Sequence, residues 1–175
     1  MPKQVAVIAV NPVNGLGLFT YLEAFYEHKI GYKVFAIDTT ATIKTNSGIT
    51  ITVDDVIANL KGHADEYDAI VFACGDAIPV FGQHATEQRY GDMFAVMNEF
   101  AAKNKYMIGH CGGAAMFDAA GITKGKKLAL HPLAKGLVKN GVATDDDCQI
   151  DDIFITAKTE ETIPKIIPKL LELFA

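Results

Sequence analysis

The sequence has too little positive charge to suggest a nucleic-acid partner. Its 175 residues include one arginine, Arg89, and they carry a formal net charge of -5 at pH 7. A protein that follows a phosphate backbone needs a basic surface. Apolar runs are also short, because no segment approaches the roughly 18 residues that span a bilayer. The amino terminus leads directly into the apolar residues 5–10 without the pattern of a signal peptide. We therefore expect no nucleic acid or membrane partner and a cytoplasmic location.

Cysteines are few, and their number is odd. Three cysteines in a chain without an export signal favour free thiols in a reducing compartment. No cluster of metal ligands stands out, and Gly15-Leu16-Gly17 lacks the further glycine of a dinucleotide fingerprint, so we predict neither a metal nor a cofactor. With 50% hydrophobic residues, the chain is suited to one folded domain over residues 1–175.

Strand-length apolar runs alternate with segments of helical spacing. Because these runs are hydrophobic continuously rather than at every second residue, they predict strands buried on both faces of a parallel sheet. The pattern predicts an α/β fold, a flavodoxin-like doubly wound, mainly parallel sheet with helices on both faces. The main predicted strands are residues 4–10, 33–37, 69–73 and 106–109, with a small added strand at 49–53, a late strand at 150–156, helices at 17–29, 54–62 and 87–103, and a last helix regular from about Pro168.

Gly109-His110-Cys111-Gly112-Gly113 has the form of a nucleophile elbow between a strand and a helix. The glycines allow a tight turn that lifts the central side chain into the ligand crevice in a strained conformation. Backbone N–H groups at such a turn are suited to stabilising an oxyanion. Cys111 is therefore the candidate nucleophile, and the alternative is a small buried cysteine flanked by packing glycines.

Together with the elbow, three further features resemble the ThiJ/PfpI superfamily, in particular its Parkinsonism-associated deglycase-like branch. Residues 66–75 resemble that family's Tyr-Asp strand that ends at a glycine. His131-Pro132-Leu133-Ala134-Lys135 follows the cysteine at the spacing of the branch's histidine segment. Residues 141–156 and the final helix resemble its closing unit. The resemblance extends over nearly the whole chain.

The resemblance implies roles for four residues. Cys111 would be the catalytic nucleophile, His131 would move protons, and the backbone N–H groups of Gly75 and Gly112 would form the oxyanion hole. A His–Cys pair suits this chemistry because imidazole can accept the thiol proton and return it to a leaving group. His131 could instead be a histidine packed before a proline turn. The implied activities are glyoxalase-like, deglycase-like or hydrolase chemistry, in a homodimer.

Two departures from the family pattern weaken a direct transfer of activity. The family places a glutamate near the start of the first helix, beside the cysteine sulfur. Here Phe19 falls at about that position and the first acid is Glu23, so the carboxyl is expected to be absent. Residues 156–160 also lack the arginine that the branch carries there. We therefore expect a diverged member.

Four further residues are candidate supporting groups. His110 precedes the elbow and should project to the opposite side of the strand, so a structural role is favoured. Cys74 ends a neighbouring strand, where it could resolve an oxidised Cys111 as a disulfide, or simply be buried. Asp76 is a candidate polar wall of the crevice. Asn14 could hydrogen-bond a substrate or the thiolate, or be an ordinary turn residue.

Three functions compete, so enzyme status stays open at this stage. The leading hypothesis is a cysteine-dependent hydrolase or glyoxalase-like lyase that uses Cys111 on a small reactive carbonyl or acyl compound. The alternative is a non-enzymatic redox sensor or stress-response protein, whose partner is an oxidant. A glutamine amidotransferase subunit ranks last because no later His-x-Glu pair is present. The homodimer could use the aromatic first helix, whose residues could equally be core: Phe19, Tyr21, Phe25 and Tyr26.

Overall fold

A seven-stranded sheet organises the computed structural model, which describes residues 3–175. Two-stranded ribbons, β3 with β4 and β8 with β9, lie beside it. The strands are β1 (Gln4–Ala9), β2 (Gly31–Ala36), β3 (Thr42–Lys44), β4 (Thr50–Thr52), β5 (Asp55–Val56), β6 (Ala69–Ala73), β7 (Tyr106–His110), β8 (Lys127–Ala129), β9 (Val142–Thr144), β10 (Cys148–Asp151) and β11 (Phe154–Ala157). The α-helices are α1 (Gly15–Glu27), α2 (Phe81–His84), α3 (Gln88–Ala102), α4 (Gly113–Ala119) and α5 (Ile167–Phe174), and 3-10 turns cover Ile57–Leu60, Ala64–Glu66, Ile78–Val80, Pro132–Leu137 and Glu160–Lys165.

The strand order is β10-β11-β7-β6-β1-β2-β5, and every pairing in the large sheet is parallel except that of β10 with β11. The central strands β1, β6 and β7 are almost entirely buried, as their continuous apolar sequences predict. The doubly wound, mainly parallel fold is confirmed. Its topology brings the carboxyl ends of β1, β6, β7 and β11 to one edge of the sheet, where ligands bind in such folds.

Helix α1 shows how the aromatic residues divide between the core and the surface. Tyr21 and Phe25 are fully buried, whereas Phe19 and Tyr26 are exposed. Tyr21 and Phe25 are therefore core residues and do not contribute to a surface for a second copy of the chain. The homodimer itself stays a prediction.

Two elements differ from the sequence-based expectation. The predicted late strand at 150–156 is a hairpin, in which β10 and β11 are joined by a turn at Asp152, with φ +57°. Aspartate tolerates this left-handed conformation better than most residues. The expected helix at 54–62 is the short strand β5 followed by a 3-10 turn. The expected small added strand at 49–53 is present as β4, which pairs with β3 outside the main sheet.

The last helix begins where the prolines predict. Pro164 lies inside the 3-10 turn Glu160–Lys165, and Pro168 lies in the first turn of α5, where a proline costs little. Within residues 3–175, no helix has both the length and the apolar character needed to cross a membrane.

Candidate active site

Cys111 occupies a strained turn at the carboxyl end of β7. Its φ of +55° lies in the left-handed region, which is unfavourable for a residue with a Cβ. Two backbone hydrogen bonds hold this conformation. The Cys111 N–H donates to the carbonyl oxygen of Ala157 (3.2 Å), and the His131 N–H donates to the carbonyl oxygen of Cys111 (3.1 Å). The expected elbow is therefore present.

The glycines around Cys111 allow neighbouring groups to approach the turn. A Cβ on Gly112 would lie 2.9 Å from Ile78 Cγ2, and a Cβ on Gly113 would lie 3.1 Å from Phe72 Cδ1. Both distances are too short for an ordinary packing contact. Glycine at these positions lets the start of α4 pack closely against β6 and the segment that follows it.

A cavity of about 860 Å³ opens over the Cys111 side chain. One wall is apolar and includes Ile78, Phe81 and Met116. The polar and reactive residues that line the cavity are Asn14, Asn46, Cys74, Asp76, Cys111, His131 and Glu160. The structure thus brings most of the predicted site residues into one crevice, together with a glutamate that was not predicted.

Cys74 and Cys111 form a closely interacting thiol pair. The β6–β7 register pairs Phe72 with Gly109, so its continuation by two residues aligns Cys74 with Cys111. A hydrogen bond from the Cys74 thiol lowers the pKa of Cys111. The same interaction, together with burial, raises the pKa of Cys74 well above its ordinary value. Of the two, Cys111 is therefore the thiol that loses its proton more readily.

The backbone N–H of Gly112 also acts on the two sulfurs. Its hydrogen bonding lowers the pKa of Cys111 and opposes the rise in the pKa of Cys74, so this N–H points into the space where charge develops. Gly75, the other predicted oxyanion donor, follows Cys74 and lines the same cavity.

Glu160 is the acidic residue that sequence reasoning missed. It follows β11 at the start of a 3-10 turn, lines the cavity, and leaves 15% of its side chain exposed. Its negative charge and its hydrogen bond to the thiol both raise the pKa of Cys111, although the Cys74 interaction outweighs them. The signal was in the topology. Because β11 runs parallel to β7, with Ala157 beside His110, residues just beyond β11 must lie beside the elbow.

Gly17, rather than Phe19, is the α1 residue that faces this acid. A Cβ on Gly17 would lie 3.4 Å from Glu160 Cγ and 2.6 Å from His110 Nε2. Phe19 and Glu23 instead line a separate groove of about 550 Å³ beside α5. The expectation that Phe19 stands near the sulfur is therefore wrong. The first helix supplies no carboxyl at the site, but Glu160 supplies one from another element.

His131 begins the 3-10 turn that borders the cavity. Its Nδ1 accepts a hydrogen bond from the Leu133 N–H (3.2 Å). In the neutral imidazole the proton is then on Nε2, since only one ring nitrogen carries it. In this state the free ring nitrogen is a donor. That geometry suits hydrogen-bond donation to a leaving group better than removal of the thiol proton.

The other predicted supporting residues have structural partners. The Asn14 side-chain oxygen caps α1 by accepting from the Gly17 N–H (2.8 Å). Asp76 accepts from the Asn46 side-chain amide (3.0 Å), and its own N–H donates to the Asn46 side-chain oxygen (3.1 Å). His110 is fully buried and does not line the cavity, consistent with projection away from the crevice. In residues 3–175, no group of three or more His, Cys, Asp or Glu is placed to hold a metal ion.

Comparison with known proteins agrees with this geometry. A model of the DJ-1/PfpI family matches residues 3–173. The chain belongs to the DJ-1/PfpI family. One family relative, protein ppBat of Bacteroides thetaiotaomicron, is 60% identical over 172 residues, which cover 98% of each chain.

Solved structures show the same DJ-1/PfpI fold. A protein from Bacteroides thetaiotaomicron, named as a candidate protease I, is 60% identical and superimposes with a TM-score of 0.97 over 99% of both chains. DJ-1beta from Drosophila melanogaster is 19% identical, with a TM-score of 0.85 over 100% of this chain and 91% of its own. At that identity the likeness concerns the fold alone.

Proposed function

We propose that this DJ-1/PfpI protein is a cysteine-dependent enzyme that acts on a small carbonyl or acyl compound through Cys111. The observation that carries the proposal is the combination of backbone strain, access to the cavity and lowered thiol pKa at Cys111. This cysteine lies on a strained elbow, opens into a cavity, and has a lowered pKa caused first by the Cys74 thiol. Lowered thiol pKa and access to a crevice are the properties that distinguish nucleophilic from structural cysteines.

The proposed reaction begins with attack by the Cys111 thiolate on a carbonyl carbon. A carbon–sulfur bond forms, and the carbonyl oxygen takes the negative charge. The backbone N–H groups of Gly75 and Gly112 receive that oxyanion. With an acyl substrate, the proton released by the Cys111 thiol passes to the leaving group, to which His131 Nε2–H donates a hydrogen bond. Water then hydrolyses the thioester, and the departing Cys111 sulfur regains a proton from that water. With an aldehyde, the first product is a thiohemiacetal.

The shape of the cavity limits the substrate. Its apolar wall, with Ile78, Phe81 and Met116, suits a compound that has an apolar part beside its carbonyl group. The wall continues to Leu133, whose side chain is 88% exposed at the rim. The protease name of the Bacteroides relative supports hydrolysis of an acyl compound, such as a short peptide amide, ahead of other carbonyl chemistry.

Turnover of a small panel of substrates would test the proposal. The panel contains dicarbonyls, activated esters and short peptide amides with apolar side chains. We expect turnover of at least one class that is lost in Cys111→Ser and retained in Cys148→Ser, which removes a cysteine of β10 that does not line the cavity. Equal turnover by wild type and Cys111→Ser would refute the mechanism.

A second candidate function is a redox switch, which the Cys74–Cys111 pair specifically favours. A peroxide would oxidise the Cys111 thiolate to a sulfenic acid, and the Cys74 thiol would displace water to form a disulfide. This function needs no turnover of a carbonyl compound. A protein that shows no turnover but forms this disulfide selectively would support the switch over the enzyme.

A further inference from the structure

A network of buried polar side chains lies behind the Cys111 turn and plays no part in the reaction proposed above. Tyr21 of α1 and His110 of β7 are both fully buried. The Tyr21 hydroxyl lies 3.3 Å from His110 Nδ1. The other ring nitrogen, Nε2, is buried and has no hydrogen-bond partner among the described residues. It lies 3.9 Å from Glu160 Oε1.

The protonation states of Tyr21 and His110 follow from their burial. Burial raises the pKa of Tyr21 far above its ordinary value and lowers the pKa of His110 to about 3. At neutral pH both groups are therefore uncharged. If the phenol donates to Nδ1, the imidazole proton lies on Nε2 and faces the Glu160 carboxylate. The opposite tautomer would place the lone pair of a buried nitrogen against that carboxylate, which is unfavourable.

No side chain of α1 lies between His110 and Glu160, because the α1 residue that faces them is a glycine. A Cβ at Gly17 would lie 2.6 Å from His110 Nε2 and 3.4 Å from Glu160 Cγ. Helix α1 therefore passes over the pair without a side chain between them. The gap of 3.9 Å is longer than a hydrogen bond, and a carboxylate movement of about 1 Å closes it.

We propose that Glu160 accepts the Cys111 thiol proton and that Tyr21 and His110 are positioning residues that orient its carboxylate. In this step the S–H bond breaks and an O–H bond forms on Glu160. Sulfur keeps the electron pair, and the negative charge moves from the carboxylate to the thiolate. The assignment rests on the proposed function of Cys111 as nucleophile. It separates two roles, because Glu160 takes the thiol proton and returns it to the leaving group, whereas His131 donates a hydrogen bond to that group.

Cys111 alkylation as a function of pH measures this coupling without any substrate. Iodoacetamide labelling is followed at the Cys111 peptide by mass spectrometry. Glu160→Gln removes a negative charge that raises the pKa of Cys111, so below the apparent pKa we expect alkylation about 3–10-fold faster. The same variant cannot accept the thiol proton, so kcat should fall. Four titratable groups face Cys111 and Glu160. They are Tyr21 from α1, Cys74 after β6, His110 from β7 and His131 from the turn before β9.

Tyr21→Phe separates positioning from packing. Without the phenol, His110 can carry its proton on Nδ1 and present a lone pair to Glu160, which favours a protonated carboxyl. We expect faster alkylation in the same direction as Glu160→Gln, by a smaller factor, and no added effect when both changes are combined. If Tyr21→Phe changes the Cys111 alkylation rate by the same factor in the wild type and in Glu160→Gln, the positioning role is overturned.

Two controls and one measurement on the wild type complete the test. Glu161→Gln removes the adjacent exposed carboxylate, and Tyr90→Phe removes the hydroxyl of another buried tyrosine, so both should leave the Cys111 profile unchanged. Nitrogen-15 NMR of the wild-type His110 ring should show the proton on Nε2. A proton on Nδ1 would overturn the orientation even if Tyr21→Phe fails to fold.

The outcomes distinguish this proposal from the proposed enzyme. If Cys111 in Glu160→Gln is alkylated at the wild-type rate while turnover still depends on Cys111, Glu160 is not the proton acceptor and the proposed enzyme still stands. If Glu160→Gln speeds Cys111 alkylation as expected but the wild type turns over no substrate, the coupling of Glu160 to Cys111 stands and the proposed enzyme is refuted.

Discussion

The backbone at Gly75 packs directly against the carbonyl oxygen of Pro12. A Cβ built on Gly75 would lie 2.2 Å from that oxygen and 2.6 Å from Val13 Cα. Both neighbours are backbone atoms, which cannot turn aside as a side chain does. The loop before α1 therefore fixes the position of the Gly75 N–H at the edge of the cavity.

Gly75→Ala should destabilise the protein by about 2 kcal/mol, because the loop before α1 must move to admit the methyl group. Turnover should also fall, since the Gly75 N–H moves with the loop. Gly91→Ala is the matched control. Gly91 is an exposed position inside α3 with room for a Cβ, so alanine should stabilise the helix by about 1 kcal/mol. Urea unfolding measures both changes, and effects of the same sign would contradict the interpretation.

The strained turn at Cys111 predicts an unusual order of stabilities. Alanine at φ +55° keeps a Cβ in the left-handed region, whereas glycine adopts this region freely. We therefore expect Cys111→Gly to be more stable than Cys111→Ala by about 1 kcal/mol. At Ala115, inside α4, the order reverses, and Ala115→Gly should cost about 1 kcal/mol. Thermal or urea unfolding of the three variants checks both signs.

The core of the fold was predictable because burial on both faces leaves a plain signal. Strands such as β1 and β6 are continuous apolar runs, and their bounds agree with the predicted ones to within one residue. The late hairpin was not predictable in this way. Its strands β10 and β11 are four residues each and differ in burial, so the whole segment was predicted as one strand. The position of Asp152 in the turn depends on a backbone conformation that composition does not reveal.

The site was only partly predictable for a related reason. Cys111 and His131 belong to local sequence patterns, and local patterns can be recognised in one chain. Glu160 approaches the cysteine only because β11 lies beside β7. Its role depends on contacts between residues about fifty positions apart, and the strand order had to be known first. The family pattern places the acid on the first helix, whereas here the carboxylate comes from the turn after β11.

Asp118 predicts a pH dependence of stability. Its side chain is 1% exposed and accepts from the backbone N–H groups of Lys139 (2.6 Å) and Gly141 (2.7 Å), and from the Thr123 hydroxyl. Burial opposes its charge, but these hydrogen bonds outweigh burial and lower the pKa. The stabilisation is therefore fully present above the unfolded-state pKa of about 3.9 and is lost as pH falls through the lower folded-state pKa.

Asp118→Asn should consequently cost about 2 kcal/mol near neutral pH, because an amide places N–H donors against backbone donors. The difference from wild type should shrink in acid. Glu172→Gln, at a carboxylate whose side chain is 69% exposed, serves as the control and should change stability by less than about 0.5 kcal/mol at either pH. Urea unfolding at several pH values measures both. A constant cost of Asp118→Asn down to strong acid would contradict the assignment.

The alignment of Cys74 with Cys111 predicts a specific disulfide. Neighbouring strands lie about 4.8 Å apart, and disulfides join Cα atoms separated by about 4.4–6.8 Å. Because Cys111 has the lowered pKa and Cys74 the raised one, peroxide should oxidise Cys111 first. The Cys74 thiol should then displace water from the sulfenic acid.

Mild peroxide followed by non-reducing peptide mapping should therefore yield one crosslink, between the peptides of Cys74 and Cys111. Cys148→Ser should leave the crosslink unchanged, because Cys148 lies on β10 and does not line the cavity. Cys74→Ser should instead let Cys111 proceed to the sulfinic acid, a gain of two oxygen atoms on that peptide, since no thiol remains beside it to intercept the sulfenic acid. Sulfinic acid at Cys111 in the wild type, with no crosslink at any peroxide dose, would show that Cys74 does not resolve the oxidised sulfur. Cys74 would then act only as the hydrogen-bond donor that lowers the pKa of Cys111.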